Sequence, residues 1–221
     1  MKRITFSDTF YKVAVFLGGD LPDFSVFQLS ERTIKIAADG AANRMIHNYC
    51  PPNIIIGDMD SLQITQGELL NIKLIKDNDE ETNDFEKIFK YLQKNNYHSI
   101  IICGIHGGEL EHTLNNLSVL MKYQALFDVI TIYDKNRYGV LIDTSIEINL
   151  EKGETISIIP NPLCNISTNG LYWELSDETL ALGAREGARN KCKSSKIVIE
   201  LNYGSYYLFI ESRFPKLMQL E

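Results

Sequence analysis

Two carboxylates stand one residue apart at the end of a short apolar segment. The segment is Ile54-Ile55-Ile56, and Gly57-Asp58-Met59-Asp60-Ser61 follows it directly. Because β-branched residues bounded by prolines and a glycine are typical of a buried strand, the acidic pair is expected at that strand's carboxyl end. Carboxylates this close repel each other, and a hard divalent cation relieves the repulsion. The motif predicts a metal site, although an isolated pair of this kind is more often a solvated acidic turn.

Comparable polar clusters follow other apolar segments of the first half of the chain. They contain Asp39, Asp77 with Asp79, Asp84 and the glycine turn Gly107-Gly108. Taken singly, each has a structural explanation, such as a turn or the first residues of a helix. Parallel strands, however, bring their carboxyl ends to one edge of a sheet, where open α/β sheets bind ligands. We therefore expect acidic side chains that hold Mg²⁺ and a glycine turn that binds phosphate at that edge.

The first half alternates predicted strands and helices, which indicates a mainly parallel sheet. Asn83 and Glu86 form a capping box before one helix, and a first apolar stripe follows it at helical spacing, formed by Phe85, Ile88, Phe89 and Leu92. A second apolar stripe, formed by Leu110, Leu114, Leu117 and Met121, predicts another helix, and both stripes are expected to pack in the core. The predicted strands are Val13–Leu17, Ile34–Ala38, Ile54–Ile56, Ile72–Ile75, Ile100–Cys103 and Val129–Tyr133.

Beyond about residue 135 the chain has short β-rich segments separated by turn residues and shows no long helical stripe. We predict two domains: residues 1–135 form an α/β domain, and residues 136–221 form a smaller antiparallel β-sandwich. Residues 134–139 are expected to form a hairpin turn, and residues 214–217 a loose or docked tail. The predicted strands of the second half are Tyr138–Ile142, Ile146–Leu150, Thr155–Ile159, Ile197–Leu201 and Tyr206–Ile210.

Composition and net charge limit the classes of molecule that the protein is expected to bind. The chain has 221 residues, a net charge of −7 and a pI near 5.2. An acidic surface argues against nucleic acid or an anionic membrane as a partner, since both attract basic surfaces. The four cysteines form no metal-binding or redox spacing, and no apolar run is long enough to span a bilayer. A cytoplasmic protein is expected.

Three side chains outside the acidic clusters are candidates for binding. His106 and His112 flank the glycine turn and are expected to have binding or structural roles. Magnesium-assisted phosphoryl transfer depends on positioning and charge neutralisation more than on a strong base. Trp173 is the only tryptophan; core packing is the default for such a residue, but an exposed indole face also binds cationic rings well.

Five blocks of the chain, in order and with compatible spacing, resemble the thiamine pyrophosphokinase family. Residues 38–44 resemble its A-D-G-G-A-N block, and residues 57–61 its G-D-x-D-S block. Residues 77–87 are similar to D-x-D-x-T-D-F-E-K, and residues 107–116 to G-G-R-x-D-H-x-x-x-N. Residues 170–175 and Asn190 resemble the C-terminal G-L-x-W-x-L and S-N blocks. No single block is specific, but the five together are.

The resemblance implies a homodimer in which an α/β nucleotide-binding domain precedes a β-sandwich that binds thiamine and dimerises. It implies that the diphosphate of ATP passes to the hydroxyl of thiamine, which gives AMP and thiamine diphosphate. By the same resemblance Asp58, Asp60 and Asp84 are catalytic and bind Mg²⁺. The residues implied to bind the nucleotide are Asp39, Asn43, Gly107, Gly108 and His112, and those implied to bind thiamine are Asn78, Asp79, Trp173 and Asn190.

Several positions depart from the family pattern. Glu109 replaces an arginine, Glu111 replaces an aspartate, Arg189 replaces a serine, and Asn83 adds a residue before Asp84. Arg44, Lys87 or Arg189 are candidates to restore the lost positive charge, and we hypothesise that Arg189 does so. Two alternatives stay open: diphosphate transfer to another small alcohol, such as a pterin-like one, and a nucleotide- or thiamine-binding module without turnover.

Overall fold

The computed structural model describes residues 1–65 and 67–221, which form two compact units. The α/β unit is Thr9–Lys135, and the β unit combines Met1–Asp8 with Asn136–Glu221. Residues 1–8, expected in the first domain, therefore belong with the second half of the chain. Their strand β1 (Lys2–Ser7) pairs with β-unit strands near residues 146–148 and 217–220. Within the described residues, no helix is both long and apolar enough to cross a membrane.

The α/β unit confirms the predicted alternation of parallel strands and helices. Its strands, as described, are all parallel, in the order β7-β6-β2-β3-β4-β5. They are β2 (Val13–Phe16), β3 (Ile34–Ala38), β4 (Ile54–Gly57), β5 (Lys73–Lys76), β6 (Ser99–Cys103) and β7 (Val129–Asp134). The helices are α1 (Ala41–His47), α2 (Asp84–Lys94) and α3 (Leu110–Tyr123), and a 3₁₀ turn follows at Gln124–Leu126.

The strand order reverses beside β2. Strands β3 to β5 extend the sheet on one side of β2, whereas β6 and β7 extend it on the other. Such a switch point separates the loops that follow the two central strands and leaves a crevice outside their carboxyl ends. The loops after β2 and β6 border this crevice, so the sheet itself determines where a ligand can bind.

Helix α2 begins as its sequence predicts. Asn83 is the N-cap, and its side-chain oxygen accepts a hydrogen bond from the Glu86 backbone N–H at 2.8 Å. The apolar stripe that follows, with Phe85, Phe89 and Leu92, is buried. The Asn83 cap therefore sets the start of α2, but the predicted capping box is only half formed, because the Glu86 carboxylate accepts hydrogen bonds from Lys122 Nζ and the Tyr123 hydroxyl.

Helix α3 forms where predicted, but the prediction that its leucine stripe packs in the core is wrong. Leu110, Leu114 and Met121 are 69%, 59% and 44% exposed. Val119 and Leu120 are the buried residues of this helix. An apolar stripe gives the period of a helix but not its rotation, and here the rotation buries a different pair of apolar residues on the same helix.

The β unit is mostly antiparallel and is organised by two long strands. Strands β10 and β13 pair with each other over most of their length, with register shifts between Pro160 and Cys164 and at Asn165. The segments predicted at residues 197–201 and 206–210 are one strand. Residues 214–216 form a turn that leads into an edge strand at residues 217–220, so the tail is docked rather than loose. The strands are β8 (Arg137–Ile142), β9 (Ile146–Asn149), β10 (Thr155–Asn169), β11 (Glu178–Ala181), β12 (Gly187–Lys191), β13 (Lys196–Glu211) and β14 (Leu217–Leu220).

Candidate active site

A cavity of about 700 Å³ lies at the carboxyl edge of the α/β sheet. Its walls come from the residues that follow β2, β3, β4, β5 and β6. This is the edge at which the sequence predicts a ligand site. The cavity is large enough for a nucleotide-sized molecule.

Three carboxylates meet at this edge. Asp39, Asp58 and Asp60 each offer an oxygen within 4.8 Å of the others. Asp39 is only 4% exposed; its Oδ2 accepts a hydrogen bond from the Ser61 backbone N–H at 3.1 Å. Its other oxygen, Oδ1, is buried and has no hydrogen-bond partner among the described residues. An unsatisfied buried carboxylate oxygen beside two more carboxylates is a site suited to a cation.

The backbone conformation and hydrogen bonds of the loop after β4 orient the side chains of Asp58 and Asp60. Met59, between Asp58 and Asp60, has a φ of 68°, a left-handed conformation that is uncommon for a residue with a side chain. The backbone N–H of Asp60 lies 3.3 Å from Asp58 Oδ1, and the Ser61 hydroxyl donates to Asp60 Oδ1 at 2.8 Å. The loop therefore stores backbone strain at the residue that separates the two acidic side chains.

Asp84 lies near this cluster but has a partner of its own. It accepts a hydrogen bond from Lys87 Nζ at 3.1 Å, and the Lys87 side chain is 4% exposed. A Cβ atom added at Gly57 would lie 2.8 Å from Asp39 Cβ and 3.1 Å from Asp84 Cγ. Sequence reasoning groups Asp84 with Asp58 and Asp60, whereas in the structure the close trio contains Asp39. Asp39 joins it because β3 and β4 are neighbours, while Asp84 in the first turn of α2 meets Lys87.

Burial and neighbouring negative charges raise the pKa values of two of these carboxyl groups, those of Asp39 and Asp84. Burial raises the pKa of Asp39, and the charges of Asp58 and Asp60 add to that effect, while hydrogen bonds from Ser61 oppose it. Burial also raises the pKa of Asp84; Lys87 opposes this, and Asp39 and Asp58 add to it. The site is therefore costly to keep fully ionised without a compensating positive charge.

Glycine backbone forms two walls of the cavity. Gly107 and Gly108 have φ values of 112° and 71°, which favour glycine, and the turn opens α3. Asn116 on α3 supports it by donating to the carbonyl of Ile105 at 3.0 Å. Gly18 and Gly19, which follow β2, also line the cavity, and their loop contacts the loop after β6 through the Gly19 N–H and the Gly104 carbonyl.

Among the described residues that line the cavity, two are lysine or arginine: Arg44 and Lys87. Arg44 Nη2 donates to the carbonyls of Gly18 and Gly19, the latter at 2.6 Å. Two adjacent glycines after a predicted strand are a weak sequence signal, so the sequence alone does not assign Gly18 and Gly19 to the site. Their role becomes visible once β2 is known to be the strand at the switch point.

Asn43 and His112 differ in their relation to the cavity. Asn43 donates to the carbonyl of Ser61 at 2.8 Å and accepts from the Gln63 backbone N–H at 2.9 Å. Its side chain therefore fixes the loop that carries the acidic pair. His112 lines the cavity, and its Nε2 lies 3.3 Å from Glu109 Oε2, with both side chains 72% exposed.

Asp79 organises the loop between β5 and α2. It accepts hydrogen bonds from the Thr82 hydroxyl at 2.8 Å and from the Glu81 backbone N–H at 3.0 Å. The Thr82 hydrogen bond is the main cause that lowers the pKa of Asp79. Asp79 lines the cavity, whereas the neighbouring Asn78 is exposed.

Trp173 and Asn190 meet in the β unit. Asn190 Nδ2 donates to the Trp173 carbonyl at 2.6 Å, and its Oδ1 lies 3.2 Å from the Trp173 backbone N–H. The two residues line a small cavity of about 130 Å³. Trp173 is 64% exposed, so the exposed-indole alternative, not core packing, describes it.

Two family models match the chain in succession. "Thiamin pyrophosphokinase, catalytic domain" matches residues 28–133, and "Thiamin pyrophosphokinase, vitamin B1 binding domain" matches residues 143–206. Together they span more than half of the chain. The chain belongs to the thiamine pyrophosphokinase family. The catalytic-domain match covers the acidic trio and the Gly107-Gly108 turn, and the second match covers Trp173 and Asn190.

Named relatives and solved structures agree with this assignment. Thiamine pyrophosphokinase 1 of Arabidopsis thaliana is 27% identical over an alignment of 231 positions, which covers 89% of this chain and 84% of the plant protein. Thiamin pyrophosphokinase 1 of Caenorhabditis elegans is 24% identical over an alignment of 181 positions, which covers 75% of this chain and 74% of the worm protein.

Among solved structures, the thiamine pyrophosphokinase of Bacillus subtilis matches with a TM-score of 0.74 at 20% identity, over 91% of this chain and 99% of that one. The yeast thiamin pyrophosphokinase matches with a TM-score of 0.73 at 16% identity, over 93% and 87%. The likeness confirms the predicted fold class, a parallel α/β domain followed by a smaller β domain.

The departures from the thiamine pyrophosphokinase pattern have visible structural consequences. Glu109 is the N-cap of α3 at the cavity wall and interacts with His112. The added residue, Asn83, is the N-cap that places Asp84 in the first turn of α2. Arg189 lies in the β unit with a φ of 56°, and its backbone N–H donates to Ser157 Oγ at 3.0 Å. Arg44 and Lys87 are the candidate replacement cations that line the α/β cavity.

Proposed function

We propose that this chain transfers the diphosphate of ATP to the hydroxyl of thiamine, giving thiamine diphosphate and AMP. The observation that carries the proposal is the acidic trio at a nucleotide-sized cavity, in a chain that matches both domains of the thiamine pyrophosphokinase family in order. The hydroxyl oxygen bonds to the β-phosphorus as the bond between that phosphorus and the α,β-bridging oxygen breaks. AMP keeps the bridging oxygen, and the hydroxyl proton is released.

Mg²⁺ fits the donor set. The unpartnered Asp39 Oδ1, with the carboxylates of Asp58 and Asp60, gives the all-oxygen environment that this ion prefers. These three residues would hold the ion, with Asp84 beside them. When bound, Mg²⁺ supplies charge neutralisation for the polyphosphate and helps to orient it. The raised pKa values of Asp39 and Asp84 fit a site that is completed by a cation.

The chain's own residues would bind the polyphosphate from two sides. The Gly107-Gly108 turn at the start of α3 presents backbone without side chains, and the start of a helix favours negative charge. Lys87 at the cavity wall adds an ammonium that is now paired with Asp84. Arg44 holds the Gly18-Gly19 turn through its carbonyls. In-line attack depends on this positioning, because phosphoryl transfer requires little covalent help from the protein.

Thiamine recognition is assigned by family resemblance to Trp173 and Asn190 in the β unit and to Asn78 and Asp79 in the α/β unit. The exposed indole of Trp173 suits a cationic ring. Asn190 fixes the Trp173 backbone through two contacts, so it would hold the indole in place. The same resemblance supports a homodimer. Four free cysteines, three of them buried, support a reducing, cytoplasmic setting.

The test is a chromatographic assay for AMP and thiamine diphosphate from ATP, Mg²⁺ and thiamine. We expect both products in equal amounts and none after chelation of the metal. AMP release only with another small alcohol, such as a pterin-like one, would replace thiamine as the substrate. ATP and thiamine binding without AMP release would show a binding module instead of an enzyme.

A further inference from the structure

The Gly107-Gly108 turn packs against Asp20, a residue of the loop after β2. A Cβ atom added at Gly107 would lie 2.5 Å from the Asp20 backbone nitrogen and 2.6 Å from Asp20 Oδ1, so Asp20 packs directly against the turn. At Gly108 an added Cβ would meet open space. One face of the turn is therefore packed against protein, and the other is open toward the cavity that it lines.

His106, immediately before this turn, is held by two neighbouring loops. Its backbone carbonyl accepts the Asp20 N–H at 2.6 Å. Its Nε2 lies 3.2 Å from Asp134 Oδ2, and because a carboxylate only accepts, Nε2 is the donor there. Its Nδ1 lies 3.7 Å from Asp20 Oδ2. The imidazole thus stands between carboxylates of the loop after β2 and the end of β7, while its own backbone follows β6.

These contacts connect the ends of three adjacent strands on both sides of the switch point. A second backbone contact, from Gly19 N–H to the Gly104 carbonyl at 2.9 Å, joins the same two loops. Glycine turns lose more conformational freedom on ordering than other segments. A turn that is already fixed before the ligand arrives avoids that cost on binding.

We propose that His106 is a positioning residue that pre-orders the Gly107-Gly108 turn for the phosphates of ATP through its contacts with Asp134 and Asp20. This proposal rests on the proposed function, since it names the residue that prepares the nucleotide wall of the same site. His106 itself does not touch the reacting groups. Its loss should therefore weaken ATP binding while leaving the thiamine side and the chemical step largely intact.

The experiment compares His106→Ala with His98→Ala, a histidine with an exposed side chain just before the same strand β6. We expect His106→Ala to raise the KM for ATP and the calorimetric Kd of Mg²⁺·ATP about tenfold, the scale of a small misplacement of a binding group. The kcat at saturating ATP and the KM for thiamine should stay within about twofold. His98→Ala should match the wild type.

Two further variants separate positioning from simple loss of structure. His106→Gln keeps an N–H donor and should recover much of the lost affinity. In an Asp134→Ala background, His106→Ala should have a smaller effect, because the partner is already gone. If His106→Ala fails to fold, the glutamine variant and Asp134→Asn carry the same comparison.

Unchanged ATP affinity in His106→Ala would overturn the inference, as would equal losses toward ATP and thiamine. Binding of Mg²⁺·ATP is measured without thiamine, so this test does not depend on turnover. A wild-type protein that binds Mg²⁺·ATP but makes no thiamine diphosphate would refute the proposed function. The binding measurements would still decide whether His106 positions the turn.

Discussion

Two buried carboxylates, one in each unit, have opposite surroundings. Glu154 in the β unit is 4% exposed, and both of its oxygens are satisfied: Oε1 accepts from the Glu211 backbone N–H at 3.0 Å, and Oε2 accepts from Glu151 N–H at 3.1 Å and from Arg213. Asp39 in the α/β unit is equally buried, but its Oδ1 has no partner among the described residues.

The comparison distinguishes a structural carboxylate from one prepared for a ligand. A buried charge is stable only when the surrounding groups compensate it. The protein compensates Glu154 by itself, whereas near Asp39 it adds two more carboxylates. We infer that the missing compensation at Asp39 comes from a bound cation, whereas Glu154 needs no ligand.

The largest expected effect is on turnover. Asp58→Asn or Asp60→Asn should lower kcat by about a thousandfold, the kinetic equivalent of roughly 4 kcal/mol, because each removes a charge that holds the cation. The melting temperature of the metal-free protein should not fall, since neither carboxylate is buried in a completed network. Rates in both variants within tenfold of the wild type would contradict the metal assignment.

Substitution of Glu154, the carboxylate whose two oxygens both have partners, should lower stability rather than turnover. Glu154→Gln leaves Arg213 without its charged partner and should cost about 3 kcal/mol of folding free energy. Chemical denaturation measures this loss. Turnover per folded molecule should remain close to that of the wild type. A stability loss below about 0.5 kcal/mol would show that the two carboxylates are less different than their contacts suggest.

Neutralising Asp39 should stabilise the metal-free protein. Because burial raises the pKa of Asp39 in the folded state above its ordinary value of 3.8, the ionised carboxylate destabilises the folded state at high pH. The stability that Asp39 contributes is therefore fully present below about pH 3.8 and is lost as the pH rises through the raised pKa. Asp39→Asn removes that loss and should melt about 2–4 °C higher at pH 8, as roughly 1 kcal/mol does for a chain of this size.

The pH dependence and the metal dependence check the Asp39 prediction together. The difference between Asp39→Asn and the wild type should shrink as the pH falls below about 3.8, where the carboxyl group is mostly neutral in the unfolded as well as the folded state. Mg²⁺ should raise the melting temperature of the wild type more than that of the variant. A variant that melts lower than the wild type at pH 8 without metal would refute the idea that Asp39 is a strained charge.

A further prediction concerns the spacing of Asp39 and Asp84. In Gly57→Ala the new methyl group would press on both side chains, so we expect a loss of about 1–2 kcal/mol in stability and a moderate fall in turnover. Gly67→Ala is the matched control, because the nearest atom to an added Cβ there is 4.0 Å away. Equal behaviour of the two variants would mean that the close approach at Gly57 has no functional weight.

The sequence predicted most of the α/β unit because its strands are short apolar segments and α2 carries a clear N-cap. It also located the Asp58–Asp60 pair and the Gly107-Gly108 turn, and it placed Asp39 at the same edge of the sheet. It did not count Asp39 among the metal ligands, because the closeness of Asp39 to the pair depends on β3 and β4 being neighbours. It also missed the rotation of α3 and the pairing of residues 2–7 with the β unit, since a period or a short alternating segment does not specify its partner.

The most direct test of the central claim is a calorimetric titration of ATP into the wild type and into Asp58→Asn, each with Mg²⁺ and with chelator. The account predicts tight binding only for the wild type with Mg²⁺, and binding weakened at least about tenfold in the other three samples. Equal ATP affinity of the wild type with and without Mg²⁺ would contradict the claim that Asp39, Asp58 and Asp60 form a cation site for polyphosphate.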